Sequence, residues 1–120
     1  MFTLADAKEQ LVDIMQASLR SGLVHGTAGN AACRLDDGNV AVTPTSVPSD
    51  TMTTDDIVVV DPKAKVVAGH RAPTSETALH LAIFAEYPEF HATMHCHAKY
   101  ASMFAVTGTP IPSAIEEFGI

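Results

Sequence analysis

The sequence predicts a mixed α/β domain with a mainly antiparallel sheet. Three observations carry this reading: an opening run with helical apolar spacing, four short strand-like runs before residue 70 joined by turn signals, and a helix-strand-helix alternation after Pro73. Leu4, Ala7, Leu11, Ile14, Met15 and Ser18 recur at helical spacing with charges between them. Residues from about 3 to 21 therefore read as an amphipathic helix, with Thr3 as its cap and Gly22 closing it. His25-Gly26-Thr27-Ala28-Gly29-Asn30 is a small, glycine-containing segment leading into a strand over 31–35, and Asp36-Asp37-Gly38-Asn39 is a hairpin signal before a second strand over 40–43. After a loop over 44–50 and one helical turn near 52–55, runs 57–60 and 65–68 form another strand pair around Asp61-Pro62-Lys63-Ala64. Pro73-Thr74-Ser75-Glu76 opens a second helix, with Ala78, Leu79, Ala82 and Ile83 as its buried stripe, and Pro88 ends it just after Tyr87. A strand from Ala92 to His97 and a helix from about Lys99 to Val106 follow, broken by Gly108-Thr109-Pro110-Ile111-Pro112. Glu116-Glu117-Phe118-Gly119-Ile120 reads as the opening of a further helix, as in a chain that continues.

Composition narrows the function classes. The 120 residues fit one domain, and 47% hydrophobic with 18% charged residues is ordinary for a globular core. A net charge of -7 with seven scattered Lys and Arg argues against a nucleic-acid partner, which needs clustered positive charge. Asp6, Lys8, Glu9 and Asp13 interrupt the opening run, so it is neither a signal peptide nor a membrane span. Cys33 and Cys96 are too few for a disulfide framework and suit reduced thiols, making the cytoplasm the default setting.

The chemistry-bearing residues fall in four places. In a strand over Ala92 to His97, His95 and His97 share one face and Cys96 points to the other. Such a pair fits either two metal ligands or a partly solvated sheet face, and a catalytic zinc site usually takes three protein ligands. His25, His70, His80 and His91 have no spacing that compels them to join; His80 reads as a helix-packing or surface residue. Glu76, in the first turn of a helix, is either a carboxylate favoured by the helix dipole or an acid/base group beside an anion held by Thr74 and Ser75. Taken singly, Gly26-Thr27-Ala28-Gly29-Asn30 and Thr43-Pro44-Thr45-Ser46 read as turns whose hydroxyls could bind phosphate.

In order, Gly26-Thr27-Ala28-Gly29-Asn30, Val42-Thr43-Pro44-Thr45, Asp56-Ile57-Val58-Val59-Val60-Asp61, Pro73-Thr74-Ser75-Glu76 and His95-Cys96-His97-Ala98 resemble the class II aldolase and adducin family over nearly the whole chain. Within it, the motifs look most like those of the aldolases acting on L-fuculose 1-phosphate. The resemblance implies a three-layer α/β/α class II aldolase-like (adducin head-like) domain. It implies zinc (Zn2+) on His95 and His97, and Glu76 as the catalytic acid/base. Substrate phosphate falls to Thr27, Asn30, Thr45, Ser46, Thr74 and Ser75. Relatives often carry glycine where this chain has Ser46, a position where a Cβ is costly if the backbone needs positive φ.

The implied reaction is class II aldol cleavage of a sugar phosphate such as L-fuculose 1-phosphate to dihydroxyacetone phosphate and an aldehyde. Zinc would polarise the carbonyl and Glu76 would move the proton, with no Schiff-base lysine required. L-ribulose-5-phosphate 4-epimerisation, a related sugar-phosphate dehydration or decarboxylation, and a non-catalytic adducin-like interaction domain are the alternatives. The resemblance further implies a homotetramer with sites between subunits, and a third zinc histidine beyond Ile120. The sequence is thus expected to be the N-terminal part, a little over half, of the family domain; standing alone it is expected to retain metal weakly and to lack aldolase activity.

Overall fold

The computed structural model describes residues 3–113. Its first element, α1 (Leu4–Arg20), starts where expected: the Thr3 hydroxyl accepts from the Asp6 N–H, and the Asp6 carboxylate accepts from the Thr3 N–H, a reciprocal capping box. Ala7, Leu11, Val12, Met15 and Ser18 form its buried face. Strands β1 (Asn30–Arg34), β2 (Val40–Val42), β3 (Val58–Val60) and β4 (Val66–Ala68) run as an antiparallel meander. A 3-10 turn over Thr54–Asp56 precedes β3, held by Asp56, whose carboxyl lies below its ordinary value through the Thr53 N–H and the Arg71 guanidinium, against the opposing effect of burial.

After α2 (Thr77–Glu86), strand β5 (Ala92–His95) returns beside β1, giving a five-stranded sheet in the order β4-β3-β2-β1-β5. The last element is α3 (Lys99–Thr107). Alternation sorts the strand side chains between two helices. Ala31, Cys33 and Ala41 pack with α1, while Ala32, Val40, Val42, Val58 and Val60 pack with Phe84 of α2. The result is the expected three-layer α/β/α sandwich around an antiparallel sheet.

Two expectations are corrected. Ala78, Leu79 and Ala82 of α2 are exposed and Ile83 is half-buried; the face turned to the sheet is Thr77, His80, Leu81 and Phe84. The helix is apolar almost all round, so its spacing does not select a face, and the sheet takes the stripe whose His80 and Thr77 find hydrogen-bond partners. Strand β5 ends at His95 rather than His97, because the His97 N–H leaves the ladder to donate to the Leu23 carbonyl at 2.8 Å. The helix start expected at Glu116-Glu117 lies outside the described residues. Among those described, no helix is long and apolar enough to cross a membrane.

The loop after β2 carries local strain. Ser46 has φ 60°, in the left-handed region, so the condition under which its Cβ is costly is met. A side chain there costs about 1–2 kcal/mol, and glycine gives part of that back through the unfolded chain. Ser46→Gly is expected to raise the urea midpoint by the equivalent of up to about 1 kcal/mol; a lowered midpoint would show that the serine side chain stabilises the turn.

Candidate active site

Four segments distant in sequence meet at one polar cleft of about 190 Å³. The 26–30 turn contributes Thr27, Gly29 and Asn30, the loop after β2 contributes Thr45, the head of α2 contributes Thr74, Ser75 and Glu76, and the end of β5 contributes His95 and His97. Of the residues expected at the site, Ser46 alone does not line this cleft. A larger cavity of about 340 Å³ lies between α1 and the sheet, but it is apolar and its one titratable side chain is Cys33, whose thiol burial pushes up. The chemistry therefore belongs to the smaller, polar cleft.

Backbone hydrogen bonds explain how the loops meet. Pro44 and Pro73 form an isolated antiparallel bridge, closed by Thr45 N–H to Ala72 O at 3.0 Å and Thr74 N–H to Thr43 O at 2.9 Å. The bridge sets the Thr45 and Thr74 segments side by side. Ser49 N–H to Gly26 O at 3.2 Å ties in the 26–30 turn. Gly29 has φ 79°, and a Cβ there would lie 2.3 Å from Val24 Cγ1 and 3.1 Å from the His95 carbonyl oxygen. Glycine is thus required both by the backbone and by the close approach to β5.

Glu76 stands just before the helix, at the N-cap position, rather than within its first turn. Its side chain does not cap α2, its N–H donates to Thr74 Oγ1 at 3.3 Å, and Thr77 Oγ1 donates to the Thr74 carbonyl at 2.6 Å. The carboxylate is free of capping duty and faces the cleft. Thr74 is buried, and Thr27, Thr45 and Ser75 are more exposed.

The rings of His95 and His97 stand with centroids 4.9 Å apart and planes 42° apart, and Cys96 packs on the opposite side with the α1 core. The predicted division of faces holds even though the ladder stops at His95. Two imidazoles converging in a polar cleft fit two positions of a nitrogen-ligated zinc site. Among the described residues, no cluster of three or more His, Cys, Asp or Glu side chains is close enough to enclose an ion.

Sequence reasoning underrated His80. It is the helix-packing residue expected rather than a surface one, at 1% exposure, but both its ring nitrogens are engaged: Nε2 with Asn30 Oδ1 and Nδ1 with Thr93 Oγ1, each at 2.6 Å. Burial, and after it the neighbouring His95, hold its pKa below the ordinary imidazole value, with Glu76 opposing. The sequence signal was present in a weak form, a histidine one turn after Glu76.

This arrangement defines a known class. The sequence profile of the Class II Aldolase and Adducin N-terminal domain matches residues 9–119, and the chain belongs to that family. The chain is 40% identical over 107 residues to the L-ribulose-5-phosphate 4-epimerase UlaF of Salmonella paratyphi B, covering 88% of this chain and 47% of that protein. Its structure matches an L-fuculose 1-phosphate aldolase with TM-score 0.86 at 30% identity, over 92% of this chain and 52% of that one. The L-fuculose 1-phosphate aldolase of Glaciozyma antarctica PI12 matches with TM-score 0.81 at 25% identity, over 98% of this chain and 52% of that one. The chain thus spans about half the length of the relatives it matches. The expected family and fold stand. Fuculose-phosphate aldolases are among its structural neighbours, whereas the Salmonella relative is an epimerase.

Proposed function

We propose that this chain carries the site of a zinc-dependent class II aldolase, which cleaves a phosphorylated sugar such as L-fuculose 1-phosphate to dihydroxyacetone phosphate and an aldehyde. The observation that carries the reading is the convergence of two imidazoles, one uncapped carboxylate and three hydroxyl-bearing segments on a single polar cleft. In this reading His95 and His97 hold Zn2+, and the phosphate is held by Thr27, Asn30, Thr45, Thr74 and Ser75, while Ser46 stands outside the cleft lining. When bound, the ion supplies Lewis-acid polarisation of the substrate carbonyl. Glu76 moves the proton at the carbon beside that carbonyl, acting from the rigid head of α2. The Thr74 hydroxyl oxygen already accepts from the Glu76 N–H, which leaves its O–H to donate to a phosphate oxygen. Among the described residues no lysine lines the cleft, in keeping with a route that needs no Schiff base. By family resemblance the working form is a cytoplasmic homotetramer.

A second reading is favoured by the 40% identity to a 4-epimerase. In L-ribulose 5-phosphate the hydroxyl to be inverted lies β to the carbonyl, so cleaving and remaking the adjacent carbon–carbon bond would also invert it. The two substrates carry phosphate on opposite sides of that bond. Turnover assays on L-fuculose 1-phosphate and L-ribulose 5-phosphate with added Zn2+, made on the full-length protein, therefore separate the readings. Glu76→Gln is expected to lower kcat about 10²–10⁴-fold on the true substrate, and His95→Ala to abolish stoichiometric zinc. Equal rates for Glu76→Gln and the parent protein would remove Glu76 from its role, and zinc binding unaffected by His95→Ala would sink the metal assignment.

A further inference from the structure

A line of polar groups, buried at Asn30 and His80, runs back from the cleft along the face of the sheet that α2 covers. Asn30 on β1 pairs directly opposite His95 on β5, and its Nδ2 lies 3.5 Å from His95 Nδ1. Its Oδ1 meets His80 Nε2, whose ring continues through Nδ1 to Thr93 Oγ1, two residues before His95 on the same face of β5. Asn30 is 7% exposed and His80 1% exposed, so neither exchanges these partners freely for water. Such a line is costly unless every member is satisfied.

Donor and acceptor bookkeeping allows two complete arrangements. With the amide as it stands, Asn30 Nδ2–H donates to His95 Nδ1, His80 Nε2–H donates to Asn30 Oδ1, and the Thr93 hydroxyl donates to His80 Nδ1. His95 then carries its proton on Nε2, the nitrogen turned away from Asn30. A cation on that Nε2 requires the proton on Nδ1, which needs an acceptor. Rotating the Asn30 amide by half a turn supplies one without moving any ring: Oδ1 accepts from His95 Nδ1–H, Nδ2–H donates to His80 Nε2, and His80 Nδ1–H donates to Thr93 Oγ1. Each ring keeps one proton, so the exchange is proton-neutral.

We propose that His80 is a positioning residue which, through Asn30, orients His95 toward a divalent cation, and that cation binding switches His80 from its Nε2–H to its Nδ1–H tautomer. The inference rests on the assignment of His95 as a metal ligand. His80's depressed pKa accords with a ring that stays neutral in both arrangements. Asn30 thereby serves the metal ligand rather than only a phosphate.

The test is long-range proton–nitrogen NMR of the 15N-histidine-labelled protein, titrated with Zn2+ alone. In the metal-free protein His80 is expected as the Nε2–H tautomer, and at zinc saturation as Nδ1–H. His80→Gln, checked for folding by its backbone spectrum, is expected to weaken zinc binding about ten- to a hundredfold. If zinc perturbs His95 while the His80 tautomer stays fixed, the positioning role is overturned and the metal assignment survives. If His95 does not respond to zinc in the parent protein, the metal assignment itself fails, and this inference with it. Should His80→Gln not fold, the tautomer measurement on the parent protein still decides.

Discussion

Phe84→Ala is expected to cost about 3–5 kcal/mol of stability, read as a fall in the urea midpoint. Phe84 is the largest apolar side chain that α2 places against the sheet, where it packs with Ala32, Val40, Val42, Val58 and Val60. The Arg34 guanidinium lies 4.8 Å from the ring centroid and closes the end of the helix, donating from Nη2 to the Phe84 carbonyl at 2.7 Å and the Tyr87 carbonyl at 3.3 Å. A neighbouring open cleft of about 190 Å³, lined by Arg34, Val40, Leu81 and Phe84, gives water a route into the space left behind, which reduces the cost of the cavity. The loss should therefore sit toward the lower end for a buried aromatic. Because α2 carries Glu76 at one end and His80 on its buried face, the same change is expected to loosen the candidate site; a loss below about 1 kcal/mol would mean that α2 is held by its hydrogen bonds instead.

Gly29→Ala is expected to destabilise by about 2–5 kcal/mol, combining left-handed backbone strain with overpacking. The added methyl would meet Val24, which is fully buried, so its side chain has little room to retreat. It would also press on the carbonyl of His95, one of the two cleft imidazoles. Gly26→Ala makes the control. Gly26 also has positive φ, at 55°, but a Cβ there meets nothing within 4 Å, so only the backbone term of about 1–2 kcal/mol applies. Thermal melts of the two variants should differ clearly, and equal losses would show that the close approach at Gly29 carries no cost.

Much of the fold was legible because local chemistry and burial agree. The cap at Thr3, the Asp36-Asp37-Gly38-Asn39 turn and the β-branched runs each announce an element that the sheet then uses. The buried face of α2 was not legible, since Ala78, Leu79, Leu81, Ala82 and Ile83 surround the helix with apolar side chains and periodicity cannot choose among them. What chose was the polar pair Thr77 and His80, and the partners of His80, Asn30 and Thr93, come from elsewhere in the chain. For the same reason the line from His95 to Thr93 through Asn30 and His80 could not be read from spacing. The cleft's ordered motifs were legible as a family resemblance, and the strain at Ser46 was legible from the glycine that relatives often carry at that position.

The Pro44–Pro73 bridge has a consequence for ligand affinity. Loops that carry hydroxyls usually lose conformational freedom when they close on an anion, and that loss subtracts from binding. Here the segments carrying Thr45 and Thr74 are locked together when the chain folds, by the Thr45 N–H donating to the Ala72 carbonyl and the Thr74 N–H to the Thr43 carbonyl. The entropic penalty of assembling their half of the cleft is thus absorbed into folding, so that under the proposed function an oxyanion arriving there would meet preorganised donors.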